Sequence, residues 1–102
     1  MDTKSLVLPS ILDLKAALPL VDQLLPLRGS DLLLDASKVE RLGGQCLQVL
    51  VSAAATWQAD GFLLDIFKPS QALIEGLAVL GAKLEDLSNA SHLPAAEARS
   101  SA

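Results

Sequence analysis

The chain has 102 residues, 51% of them apolar but only 3% aromatic, and twelve acidic against eight basic side chains leave a formal net charge of -4. That length suits a single domain around a single aliphatic core, and the lack of a Lys/Arg cluster argues against nucleic acid or an anionic membrane surface as a partner. One cysteine, Cys46, rules out an internal disulfide, and one histidine, His92, has no second ligand near it, so no structural metal and no cofactor are expected.

The start, Met1-Asp2-Thr3-Lys4, lacks the basic segment, apolar run and cleavage site of a signal peptide. Asp13, Asp22, Asp35 and Asp65 interrupt the Leu-rich regions, so no run reaches the roughly 20 apolar residues needed to cross a bilayer. A soluble cytoplasmic protein without membrane insertion is expected.

In chain order, Ser5-Leu6-Val7-Leu8 reads as a strand stopped by Pro9, and Ile11-Leu12 as a resumption of extended backbone near a sheet edge. From Ala16 to Leu27 the residues Ala17, Leu20, Val21, Leu24 and Leu27 recur at helical spacing. Pro19 is compatible with that helix because a first-turn residue has no intrahelical acceptor to lose. Leu32-Leu33-Leu34, bracketed by Asp31 and Asp35, predicts a central strand covered on both faces. A second helix is expected with Leu47, Leu50, Val51, Ala54 and Trp57 or Gln58 along one side, ending near Ala59-Asp60-Gly61. Phe62 to Phe67 predicts another buried strand. Pro69-Ser70 then opens a third helix with a core stripe of Leu73, Ile74, Leu77 and Leu80, stopped by Gly81. Strand and helix alternate, so the class is α/β, with right-handed crossovers and a largely parallel sheet. Residues 1–87 are expected to form the domain and 88–102, Ser/Ala-rich and without an apolar period, a flexible tail.

Little in this chain points to catalysis. A nucleophile-base-acid triad needs a positioned histidine, and His92 lies in the expected tail. Asp31, Asp35, Asp60 and Asp65 stand at strand ends or within a strand, where turn and cap roles prevail over acid-base work. Cys46 falls in the first turn of the second helix, where the helix dipole would lower a thiol pKa, but a small buried residue under the sheet is the favoured reading. Gly43-Gly44 forms a turn that could offer backbone N–H groups to an anion, without the lysine and further glycines of a P-loop. Asn89-Ala90-Ser91 matches a glycosylation sequon, read as coincidental in a cytoplasmic chain.

The run Leu32 to Leu50 resembles the signature of STAS domains, the anti-sigma factor antagonist family. In that family a buried strand ends in Asp, a Val-containing loop follows, and an Asp-Ser-x-Gly turn opens a helix beginning Leu-x-x-Leu; Asp35, Val39, Leu42, Leu47 and Leu50 fit that frame. The similarity extends over residues 5–82. It implies a STAS-like mixed, mostly parallel sheet of about four strands with helices packed on it, and a non-catalytic protein-binding function. It also implies a partner surface at Ser37, Gly43, Gly44, Gln45 and Gln48. Gly44 stands where the family's phosphorylated serine or threonine would be, so a switch that adds about two negative charges there cannot operate; Ser37 is left as another hydroxyl a kinase could reach. The turn Gly-Gly-x-Cys-Leu-Gln-Val-Leu, the Ala-rich helix and Trp57 are similar to small STAS proteins of chemotaxis systems, which implies a histidine kinase partner. Two other roles in the family stay open: a cytoplasmic subunit of a lipid-transport ABC system, and an anti-sigma factor antagonist.

Overall fold

The computed structural model describes residues 3–89. Three strands, β1 (Thr3–Val7), β3 (Asp31–Asp35) and β5 (Leu64–Phe67), form a sheet in the order β1-β3-β5, and two short strands, β2 (Ile11–Leu12) and β4 (Arg41–Leu42), pair separately. Every pairing among the described residues is parallel. The expected four-stranded mixed sheet is thus a three-stranded parallel one with a two-stranded ribbon beside it. Pro9 is the physical reason, because it ends β1 and lets the chain re-enter extended backbone only at Ile11, where Glu40 and Arg41 donate to Ser10 O at 2.7 and 3.1 Å.

β3 is central, with Leu6, Leu34 and Ile66 in register on one face and Val7, Asp35 and Phe67 on the other. Its burial alternates: Leu32 and Leu34 are fully buried, whereas Asp31, Leu33 and Asp35 are only half-buried, and on the same outer face of the neighbouring β1 Val7 is exposed. The triple-Leu run therefore reports one covered face, not two. Parallel strands need long crossovers, and the helices α1 (Ala17–Leu24) and α2 (Gly44–Asp60) supply them. Their buried residues join Leu32, Leu34, Leu64 and Ile66 in one aliphatic core.

α1 is extended at both ends by 3-10 turns, Leu14–Ala16 and Leu25–Leu27, the first capped by the Asp13 side chain, which accepts from Ala16 N at 3.1 Å. Pro19 takes the third position of α1, where its missing N–H costs no intrahelical bond. On α2 the expected Leu50, Ala54 and Trp57 are buried and Leu47 packs partly buried against the core, but Val51 is 39% exposed and Cys46 and Ala53 are buried in addition. Gly61 at φ 83 supplies the left-handed residue that ends α2. In α3 (Gln71–Val79), capped by the Ser70 hydroxyl, Leu73 and Leu77 are buried but Ile74 and Leu80 are 42% and 40% exposed. α3 leans on β4 instead of spreading over the sheet, and a Cβ on Gly76 would come to 3.3 Å from Leu42 Cβ.

The ordered body extends beyond residue 87. Asn89 is 1% exposed, its Oδ1 accepts from Leu64 N at 2.9 Å, and its Nδ2 donates to Phe62 O at 2.9 Å and Ala54 O at 3.5 Å. The backbone N–H of Asn89 in turn donates to Leu64 O, so this residue continues the hydrogen bonding of β5 on its outer edge. The expected tail thus loses Ser88 and Asn89 to the fold, and a buried, fully bonded Asn89 is no glycosylation acceptor. The rest of the expected tail, His92 included, lies outside the described residues.

Candidate functional site

Both crossover helices start where the parallel strands end, the edge at which α/β sheets present their loops. The five residues expected to form the partner surface gather at that edge in two places: Ser37 in the loop after β3, and Gly43, Gly44, Gln45 and Gln48 across the first turns of α2.

The Ser37 loop is built by short hydrogen bonds from its neighbours. Ala36 donates to Phe67 O at 3.1 Å, its carbonyl accepts from Val39 and Ser70, and the Ser70 hydroxyl donates to Val39 O at 2.6 Å. Ser37 and Lys38 are left exposed between these anchors. The Asp35 carboxylate accepts from Ser37 N at 2.9 Å, an Asx turn. Hydrogen bonds from the Ser37 hydroxyl and backbone, helped by the positive charges of Lys68 and Lys38, hold the Asp35 carboxyl below its ordinary range. Lys68 adopts φ 53, uncommon for a residue with a side chain and more so before a proline, and its ammonium stands 5.7 Å from the Phe67 ring centroid.

At the head of α2, Gly43 is the N-cap, in extended backbone and without a side-chain cap. Its N–H donates to Leu12 O at 2.7 Å and is not available to an anion. A Cβ on Gly43 would lie 3.4 Å from that same oxygen, so the ribbon of β2 and β4 is pressed against the helix start. Gly44 differs: it is exposed, a Cβ there would meet nothing within 4 Å, and its φ is not positive. The fold does not require glycine at position 44. What a glycine changes there is how closely another molecule can approach.

Cys46, one turn further on, is completely buried, and its thiol donates to Asp13 O at 3.2 Å. Burial, followed by the Asp13 charge, pushes its pKa up, opposite to the lowering expected at a helix start. It is a packing residue. The four aspartates weighed for chemistry have structural partners as well: Asp31 accepts from Leu63 N, Asp35 from Ser37 N, Asp65 from Ile66 N, and Asp60 pairs bidentately with Arg28 at 3.1 Å. No group of three or more His, Cys, Asp or Glu among the described residues is arranged to hold a metal ion.

One feature escapes motif reading altogether. α1 and α2 lie side by side and leave a groove of about 310 Å³ between them, walled by Val21, Leu24 and Leu25 on one side and Val49, Ala53 and Trp57 on the other. Gln45 and Gln48 form part of its rim, and the Arg28–Asp60 ion pair joins the two helix ends at its far end. The Trp57 indole N–H donates to Ser30 O at 2.9 Å, tying the floor of the groove to the entry of β3.

This is a small α/β domain with an open, glycine-led helix start and a groove between its two crossover helices. A family model described as "Mlab, STAS domain" matches residues 2–87, and the chain belongs to the STAS family. Members of that family act as regulatory, protein-binding domains and are not in general enzymes. No curated protein and no solved structure matches the chain. Among the described residues no helix is long and apolar enough to cross a membrane.

Proposed function

We propose that the chain is a cytoplasmic, non-catalytic STAS adaptor that binds a chemotaxis or two-component histidine kinase and alters its phosphotransfer. Docking uses the surface of Ser37, Gly43, Gly44, Gln45 and Gln48. The observation that carries this reading is Gly44: it is exposed, its φ is not positive, and a Cβ there would meet nothing within 4 Å, so the fold does not call for glycine at this position. Lacking a hydroxyl, it leaves the helix start permanently open to a partner, without the charge that phosphorylation would add. The test is phosphotransfer by the purified kinase with and without the domain. Wild type changes the rate of phosphoryl transfer to, or loss from, the response regulator, and Gly44→Arg does not. Equal effects of both proteins contradict the reading.

A second reading is favoured by the family description, which carries the name Mlab. In it the same surface engages the ATPase of a lipid-transport ABC system, and co-purification of an ABC ATPase instead of a kinase decides for it. The role of anti-sigma factor antagonist requires the same surface and is separated by capture of an anti-sigma factor.

A further inference from the structure

Leu14 to Leu27 form one right-handed helical run, since the residues that join α1 to its flanking 3-10 turns, Ala16, Ala17, Leu24 and Leu25, all keep right-handed helical φ and ψ. Leu20 and Leu24 on this run face the core. A second apolar stripe, Leu14, Leu18, Val21 and Leu25, faces away from it: Leu14 is 72% exposed, Leu18 77% and Leu25 56%. Its spacing of four, three and four residues is that of a coiled-coil seam. Three leucines this open to water on one short face mark a contact surface more than scattered surface apolarity. Val21 and Leu25 also wall the groove against α2, so seam and groove are continuous.

We propose that this seam joins two copies of the chain, α1 packing antiparallel on α1 about a two-fold axis. The charges beside the seam argue for a second copy over an unrelated helix. Lys15 and Asp22, both exposed, each follow a seam residue by one position and stand seven residues apart, so they occupy the same flank. In the antiparallel arrangement Leu14 opposes the partner's Leu25 and Leu18 opposes the partner's Val21. Lys15 then reaches the flank of the partner's Asp22, and symmetry makes the same pair a second time. A parallel pairing sets Asp22 against the partner's Ala17 and Lys15 against a position that precedes the helical run, and satisfies neither charge. Two heptads alone hold a helix pair weakly. Here the groove receives the partner's Leu14 and Leu18 between α1 and α2, beside Val49, which gives the seam a hole of ready-made depth.

The test is sedimentation velocity of the whole chain from micromolar to millimolar concentration, with circular dichroism and Trp57 emission as folding controls. Wild type shows a reversible monomer-dimer equilibrium. Leu18→Glu, at a site open enough to leave the fold intact, weakens it on the order of a hundredfold or more. Lys15→Glu and Asp22→Lys each weaken it roughly five- to tenfold, and the double variant returns to within about twofold of wild type, because each charge reversal acts on both symmetric pairs. A wild type that stays monomeric throughout, a dimer indifferent to Leu18→Glu, or a double variant as weak as the two single changes combined overturns the proposal.

Discussion

At Cys46 two influences on a thiol oppose each other. A helix start lowers its pKa, whereas removal from water and the nearby Asp13 charge raise it; in a fully buried position the second pair wins. Maleimide labelling of the native protein at neutral pH is therefore expected to be negligible and to rise only as denaturant unfolds the chain. Rapid native labelling would contradict this. Asn89 poses the converse case, a polar side chain drawn inside because three backbone groups of residues 54, 62 and 64 need it. Replacement by Ala leaves a buried N–H and carbonyl unpaired and should cost about 2–3 kcal/mol in urea unfolding. Nothing in the sequence around residue 89 announces that role, since the demand comes from residues 25 to 35 positions away. Asp35 gives a pH signature. Its folded pKa is lowered, so its contribution to stability is present above the unfolded carboxylate pKa and is lost as pH falls through the folded value. In Asp35→Asn the acid limb of the stability profile flattens in that window, as acid titration followed by circular dichroism can register.

Among the helices, the positions of Gly44 and Gly61 show why two glycines bounding one element answer differently. Gly44 opens α2 with ordinary φ and free space around its missing Cβ, so Gly44→Ala should raise stability by about 0.5 kcal/mol through the unfolded state. Gly61 ends α2 at φ 83, and Gly61→Ala should lower stability by about 1 kcal/mol. Thermal or urea unfolding of the two variants gives opposite signs if this account holds. The helices themselves were legible from apolar period and punctuation, and Ser70 as a cap was readable from its place before Leu73. Their inward faces were less so. A 3.6-residue period allows an arc wider than the contact it finally makes, and Val51, Ile74 and Leu80 fell on the outer margin because α2 turns Cys46 and Ala53 to the sheet and α3 packs on β4. The stripe Leu14, Leu18, Val21 and Leu25 stood in the sequence as well, hidden by the core stripe interleaved with it.

For the molecule as a whole, alternation of apolar runs and helical periods was enough to give a parallel α/β domain, and the Asp35-to-Leu50 frame was enough to give the family. Strand number was not, because the two-residue ribbon of β2 and β4 exists only through long-range pairing at Ser10 and Leu12. For the proposed docking surface the sequence offered separate residues and no geometry; the fold places Ser37 after β3 and Gly43, Gly44, Gln45 and Gln48 at the start of α2. Sequence located Gly44 at a helix start; only the geometry shows that nothing in the fold depends on its being glycine. Gln45 and Gln48 gained a neighbour that no motif contained, the groove against α1. The central claim, that this helix start is where a protein partner docks, is tested most directly by capture from lysate of the native cell with purified wild type and Gly44→Arg, the bound proteins being identified by mass spectrometry. The account predicts a histidine kinase held by wild type and lost with Gly44→Arg, while both proteins unfold at similar denaturant concentration. The same partners retained at the same level by both would contradict it and move the docking surface elsewhere.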